Sequence, residues 1–257
     1  MITSTANPRV KWIRSLQAKR RAREAEGLFI VEGLRSAREV VAAGRPVSLV
    51  LHTEDLDARG RGIVNNLCRL GAQAEVVSPQ VMAACSSTES PPGLLVVLPV
   101  PALPLPEPLR LALVADGIAD PGNLGTLLRT AAAAGVEGVF LSPGTVDAYN
   151  PKVVRAAMGA HLRLPILALD PAALAERLTG LQVWVAEAGQ GPSYDQVDWR
   201  PPSALVIGGE AHGPQAGTRA LSGRSVHIPM PGGTESLNAA VAAAVVLFEV
   251  VRQRGSR

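Results

Sequence analysis

Three stretches in the second half of the chain hold side chains suited to chemistry. The first, Asp116 to Arg129 (DGIADPGNLGTLLR), follows an apolar run and opens a helix. Ligands of open α/β sheets gather at the carboxyl ends of strands, where this turn falls. Gly122 and Gly125 let backbone approach a ligand closely, and Asn123 can cap the helix or hold a substrate hydroxyl. Arg129 follows Asn123 by six residues, so the two converge only if the arginine reaches back along the helix. A glycine-rich turn with a surface arginine fits the same pattern. Gly117, Gly122 and Gly125 do not make GxGxxG, so a dinucleotide fingerprint is missing.

The second stretch, Val206 to Pro214 (VIGGEAHGP), is a strand entering a glycine-rich turn with one acid, Glu210. A carboxylate there can orient a ligand or an arginine; an ordinary polar turn would look alike. The third, Val226 to Arg252, begins with a short strand ending at Pro229. A glycine-containing loop follows, then a helix starting near Ser236 and Asn238 whose residues are small or apolar until Glu249. Such a helix must be covered nearly all round. A second copy of the chain or the core of its own chain could cover it.

The elements that must position these stretches alternate as in an α/β protein. Strands are expected at Leu28–Val31, Val47–His52, Ala74–Val77 and Gly93–Leu98, with helices near Ser36–Ala43 and Gly60–Leu70. Further buried strands are expected at Leu109–Ala115, Gly138–Leu141, Leu164–Leu167, Gln182–Glu187, Ala204–Ile207 and Val226–Ile228, forming a parallel sheet. Asn150–Pro151 and Asp170–Pro171 place a capping side chain before a proline at the first helical position. Gly135 sits where a helix begun at Asn123 should end. Ser90 to Pro108 holds seven prolines, which exclude helix interiors and central strands. The expected division is residues 1–99, a proline-rich linker at 100–108, and residues 109–257.

Composition narrows the function classes. With 257 residues and 47% hydrophobic content, the chain can bury a sizeable core. Apolar runs stay well below the roughly 20 residues of a membrane-spanning helix, and the polar N-terminus lacks a secretion signal. A cytoplasmic location is expected. Cys68 and Cys85 form no CxxC pair, and His52, His161, His212 and His227 lack ligand spacing, so no metal is expected. From Met1 to Arg45 ten basic residues face four acidic ones, a charge of +6 against −3 for the remainder. That asymmetry suits a polyanion-binding face, since neutralised phosphates release counterions. A solvated helix face would carry the same charges.

Taken in order, DPGNLGTLLRTAAAAG, IGGEAHGP and IPMPGGTESLNAAVAAAVVLFE resemble the three signature motifs of the SpoU (TrmH-like) branch of the SPOUT methyltransferases. The opening, ITSTANPRVKWIRSL then LFIVEGLRSAREVVAAG, is similar to that family's L30e-like substrate-binding domain. The resemblance covers essentially the whole chain. It implies an α/β fold with a parallel sheet and a deep C-terminal trefoil knot, S-adenosylmethionine as methyl donor, S-adenosylhomocysteine as product, and transfer to a ribose 2′-hydroxyl. The expected substrate is RNA, 23S ribosomal RNA before transfer RNA. A homodimer through Asn238–Arg252 is implied as well.

Carried over position by position, the resemblance assigns active-site places to Asn123, Arg129, Glu210, Ser236 and Asn238. It assigns the donor to Gly208, Ile228 and Leu237, with Met230 close by. Gly209 departs from the pattern, standing where many relatives carry asparagine. Phosphate contacts are assigned to Arg9, Lys11, Lys19, Arg20, Arg21 and Arg23, taken as one basic helix. Arginine keeps its proton below about pH 12, so Arg129 is read as a phosphate grip and not as a base. The competing classes are a non-catalytic RNA-binding factor, which needs no such set of polar residues, and a nicotinamide-dependent dehydrogenase, which lacks its fingerprint here.

Overall fold

The structure, a computed structural model, describes residues 1–210 and 213–255. The chain divides into two compact units, residues 1–102 with 149–162 and residues 103–148 with 163–257. Residues 149–162, which the sequence groups with the C-terminal part, thus belong to the N-terminal unit.

In the N-terminal unit the order is α1 (Pro8–Ala18), α2 (Arg20–Glu26), β1 (Leu28–Glu32), α3 (Leu34–Ala43), β2 (Leu49–His52), α4 (Ala58–Arg69), β3 (Gln73–Val76), α5 (Pro79–Cys85) and β4 (Leu94–Pro99). The sheet runs β1-β4-β2-β3, with β4 antiparallel to both neighbours and β2 parallel to β3. Alternate strand residues enter opposite cores. Phe29, Val31, Val50, Leu94, Val96 and Leu98 fill one, and Ile30, Leu49, Leu51, Leu95 and Val97 the other. The sheet is therefore sandwiched between helical layers.

The basic segment departs from expectation. It breaks at Lys19, whose backbone is extended (φ −120°, ψ 119°), into α1 and α2. The end of α1 leaves carbonyls without helical partners, and Arg23 supplies them: its guanidinium donates to Leu16 O at 2.6 Å and Gln17 O at 3.2 Å. Arg23 is only 5% exposed. It is a structural arginine, and its place among the phosphate contacts is withdrawn. Arg9 pairs with Glu75 and Arg20 with Glu24. Lys11, Lys19, Arg20 and Arg21 are exposed.

The second part of the chain holds β5 (Leu111–Asp116), α6 (Pro121–Ala133), β6 (Gly138–Leu141), α7 (Pro151–Ala157), β7 (Ile166–Ala168), α8 (Pro171–Arg177), β8 (Gln182–Ala186), β9 (Ser203–Gly208), α9 (Ala216–Ala220), β10 (Ser225–Val226) and α10 (Ala239–Gly255). All the strands form one parallel sheet in the order β10-β8-β9-β5-β6-β7. Central strands β5 and β9 are buried almost throughout, which explains their unbroken apolar runs. Helices α7 and α8 start at the expected prolines, capped by Asn150 and Asp170, whereas α6 starts at Pro121, capped by Asp120, two residues before the expected Asn123. Gly135 follows α6 with a left-handed φ of 72°. The last helix, α10, packs against α6 and β9. None of the described helices is long and apolar enough to cross a membrane.

Candidate active site

Strands β5 and β9 lie side by side with Asp116 in register with Gly208, so their carboxyl-end loops emerge together. Asp116 fastens them. Its carboxylate is fully buried and accepts from Gln215 N at 2.6 Å, Gln215 Nε2 at 3.0 Å, Thr218 Oγ1 at 3.0 Å and the Ser142 hydroxyl. A buried carboxylate is tolerated only with such donors. The backbone completes the clamp, with Gly209 N donating to Asp116 O at 2.9 Å and Gly213 N to Gly209 O at 2.9 Å. Asp116→Ala is expected to cost about 2–4 kcal/mol in urea unfolding, because buried donors lose their acceptor. Unchanged stability would show that the loop holds itself.

Glycine is required at two places in this loop. A Cβ at Gly208 would overlap the backbone nitrogen of Pro214, and one at Gly209 would lie 2.7 Å from Gly117 O. The loop thus has no room for an asparagine at 209 without moving.

Asn123, Glu210 and Asn238, 87 and 28 residues apart in sequence, meet at the loop ends. Asn123 Nδ2 donates to Glu210 Oε1 at 2.7 Å. Asn238 Nδ2 donates to the same oxygen at 2.7 Å and to Asn123 Oδ1 at 2.9 Å. Asn123 is spared for this contact because Asp120 caps α6, accepting from Asn123 N at 2.7 Å. That corrects the reading of Asn123 as the cap. Gly125 likewise is buried inside α6 and not in the turn. Asn238 caps α10, its Oδ1 accepting from Ala240 N at 3.0 Å and Val241 N at 3.3 Å.

Beside the cluster opens a cavity of about 680 Å³, lined by Gly208, Gly209, Ile228, Met230, Leu237 and Ser236 among others. Glu210 and Asn238 form part of its wall. The four residues assigned to the donor thus share one cavity with three of the five assigned to catalysis. Asn123 joins them through its hydrogen bonds. Arg129 does not: it is exposed on α6, lies outside the cavity wall, and bonds to no described residue. Sequence reasoning missed Asp116, Asp120 and Glu187, the last also lining the cavity. Two are acids at the carboxyl ends of strands, and the third an acid directly before a proline at a helix start. Those were the available signals.

The description "SpoU rRNA Methylase family" matches residues 110–248, and "MRM3-like substrate binding domain" matches residues 7–96. The chain belongs to the SpoU rRNA methylase family. Among relatives, the 23S rRNA (guanosine(2553)-2'-O)-methyltransferase RlmP of Bacillus subtilis is 30% identical, over 97% of this chain and 98% of that one. The 23S rRNA (uridine(2479)-2'-O)-methyltransferase of Streptomyces viridochromogenes is 31% identical, over 98% and 92%. The crystal structure of the SpoU methyltransferase AviRb from the same organism, in complex with the cofactor AdoMet, superposes with a TM-score of 0.88 at 29% identity, covering 97% of this chain and 99% of that one. The second and third motifs line the cavity, and the first reaches them through Asn123.

Proposed function

We propose that this protein transfers the methyl group of S-adenosylmethionine to a ribose 2′-hydroxyl of 23S ribosomal RNA. The observation that carries the reading is the hydrogen-bonded meeting of Asn123, Glu210 and Asn238, two of which form part of the cavity wall. The cavity suits the donor: its volume lies within the range of small-molecule sites, and Gly208 and Gly209 form part of its wall. Gly208, Ile228 and Leu237 would hold the donor, with Met230 against it. The donor supplies an electrophilic methyl on a sulfonium.

The chain's own part is positioning, the main demand of an in-line transfer. Asn123 and Asn238, fixed by the shared Glu210 oxygen, orient the 2′-hydroxyl, with Ser236 beside them. Arg129 grips a neighbouring RNA phosphate as a planar fork. The hydroxyl proton leaves to RNA phosphate or water. Calorimetry tests the reading against a non-catalytic RNA-binding factor: micromolar S-adenosylmethionine binding is expected. A chain that binds ribosomal RNA but no donor would overturn it.

The N-terminal unit is read as L30e-like and as the RNA platform, with Lys11, Lys19, Arg20 and Arg21 on phosphates and Arg9 half-committed to Glu75. Replacing Lys11, Lys19 and Arg21 by glutamine should flatten the salt dependence of RNA binding by roughly 0.7 log units per lost contact. Arg23→Gln should instead lower thermal stability and leave that slope alone. Equal slopes for all the variants would remove these helices from the RNA face.

The C-terminal unit is read as a deep trefoil knot, a topology supported by family membership and by α10 returning onto α6 and β9. A homodimer forms through α10. Its inner face is buried, but Val241, Phe248 and Val251 remain 48%, 51% and 37% exposed at helical spacing. Apolar stripes of that kind call for a partner surface. Phe248→Glu should turn a dimer into a monomer by analytical ultracentrifugation, whereas a persisting dimer would place the interface elsewhere. A cytoplasmic location goes with this substrate.

A further inference from the structure

We infer that Glu187 recognises the ribose of the methyl donor, accepting hydrogen bonds from its two hydroxyls. The inference rests on placing the donor in the cavity beside Gly208. Glu187 directly follows β8, and because Ala186 pairs with Ile207, it stands level with Gly208 at the carboxyl edge of the sheet. Its backbone N–H donates to Val226 O at 3.0 Å, which fixes its direction. The side chain lines the cavity and is only 9% exposed.

Two groups hold the carboxylate. Arg219, 57% exposed, donates to Oε1, and Ser225 Oγ donates to Oε2 at 2.6 Å. An ionised carboxylate offers about four acceptor sites, so roughly two stay open toward the cavity. Two neighbouring acceptors match a vicinal diol, the geometry by which strand-end acids take ribose in other nucleotide sites. The guanidinium beside it already balances the charge, which makes Glu187 a poor receptor for the sulfonium or ammonium but leaves its lone pairs for neutral donors. Position agrees. Strand order puts β9 between β8 and β5, so Glu187 lies about two strand spacings, on the order of 10 Å, from the β5 end that leads to Asn123. The nucleoside end of the donor would occupy that distance from the reacting methyl.

Calorimetry with S-adenosylhomocysteine and its 2′-deoxy and 3′-deoxy analogues tests this. The wild-type protein should lose about 10-fold or more in affinity for each deoxy analogue. Glu187→Ala should lose about 10–100-fold for S-adenosylhomocysteine and S-adenosylmethionine alike, with little further loss for the deoxy analogues. The inference is overturned if wild type binds the deoxy analogues undiminished. It is overturned equally if Glu187→Ala weakens them as much as the parent, or if its loss is confined to the sulfonium form. The wild-type arm is independent of whether the variant folds. No binding of S-adenosylhomocysteine by wild type would defeat the placement of the donor itself, whereas binding without a diol effect would defeat only the role of Glu187.

Discussion

Arg129→Ala should lower kcat by about 10²-fold or more while leaving donor affinity and thermal stability unchanged, the scale of loss when a reacting group is misplaced by about an ångström. The structural warrant is that Arg129 stands exposed on α6 and bonds to no described residue. No described residue relies on it for a hydrogen bond, so unchanged thermal stability would assign the loss to the reaction. Arg129→Lys should recover little, because an ammonium cannot reproduce the two parallel contacts of a guanidinium on a phosphate. Single-turnover methylation of ribosomal RNA, with donor affinity measured in parallel, separates these cases. Near-normal turnover by the lysine variant would reduce Arg129 to a generic positive charge.

The second large effect is expected at Asn238, which does two jobs with one amide. Its oxygen caps α10 and its nitrogen bridges Asn123 and Glu210. Asn238→Ala should therefore cost about 1 kcal/mol of stability through the lost cap and about 10²-fold in kcat through the lost bridge. Asn238→Asp separates the jobs. A carboxylate still caps the helix and favours its positive end, but it faces Glu210 Oε1, which now sits 2.7 Å from the amide nitrogen. Like charges at that range repel. Wild-type thermal stability with a large loss of turnover is the expected outcome for Asn238→Asp. Wild-type turnover would mean that the bridge does not organise the site.

The parts of the fold legible in the sequence were those fixed by local chemistry. Apolar runs marked β5, β6 and β9, and Asp170–Pro171 marked the start of α8. The three glycine-bearing stretches sit at the sheet's carboxyl edge because a strand period gives way there to a helix period. What stayed hidden needed tertiary information. Lys19 breaks the basic segment without a glycine or proline, so nothing local announced that Arg23 turns inward to serve the carbonyls of Leu16 and Gln17. Asp116 reads as one more polar residue after a strand until residues 215–218 fold back onto it. Glu187 gains its meaning only from β8 lying against β9.

The last helix shows the limit most clearly. Its composition demanded cover without saying whose. The fold supplies α6 and β9 for one face, burying Ala239, Ala243, Val246, Leu247 and Val250. Val241, Phe248 and Val251 remain on the outside. Both readings of the helix therefore describe part of it. Glu249, the first acid of the helix, is buried, and its hydrogen bond from Arg252 at 2.7 Å holds its carboxyl below the usual range. A charge thus ends the apolar stretch without being left unpaired.

A ribose oxygen is the group expected to receive the methyl. Incubating the protein with 23S ribosomal RNA and isotopically labelled S-adenosylmethionine, then digesting and mapping the label, tests this most directly. The prediction is one nucleotide carrying the label on its 2′-oxygen, recognised as an alkali-resistant linkage, with none formed by Arg129→Ala at matched times. Label on a base, or no label from a protein that binds both donor and RNA, would contradict it.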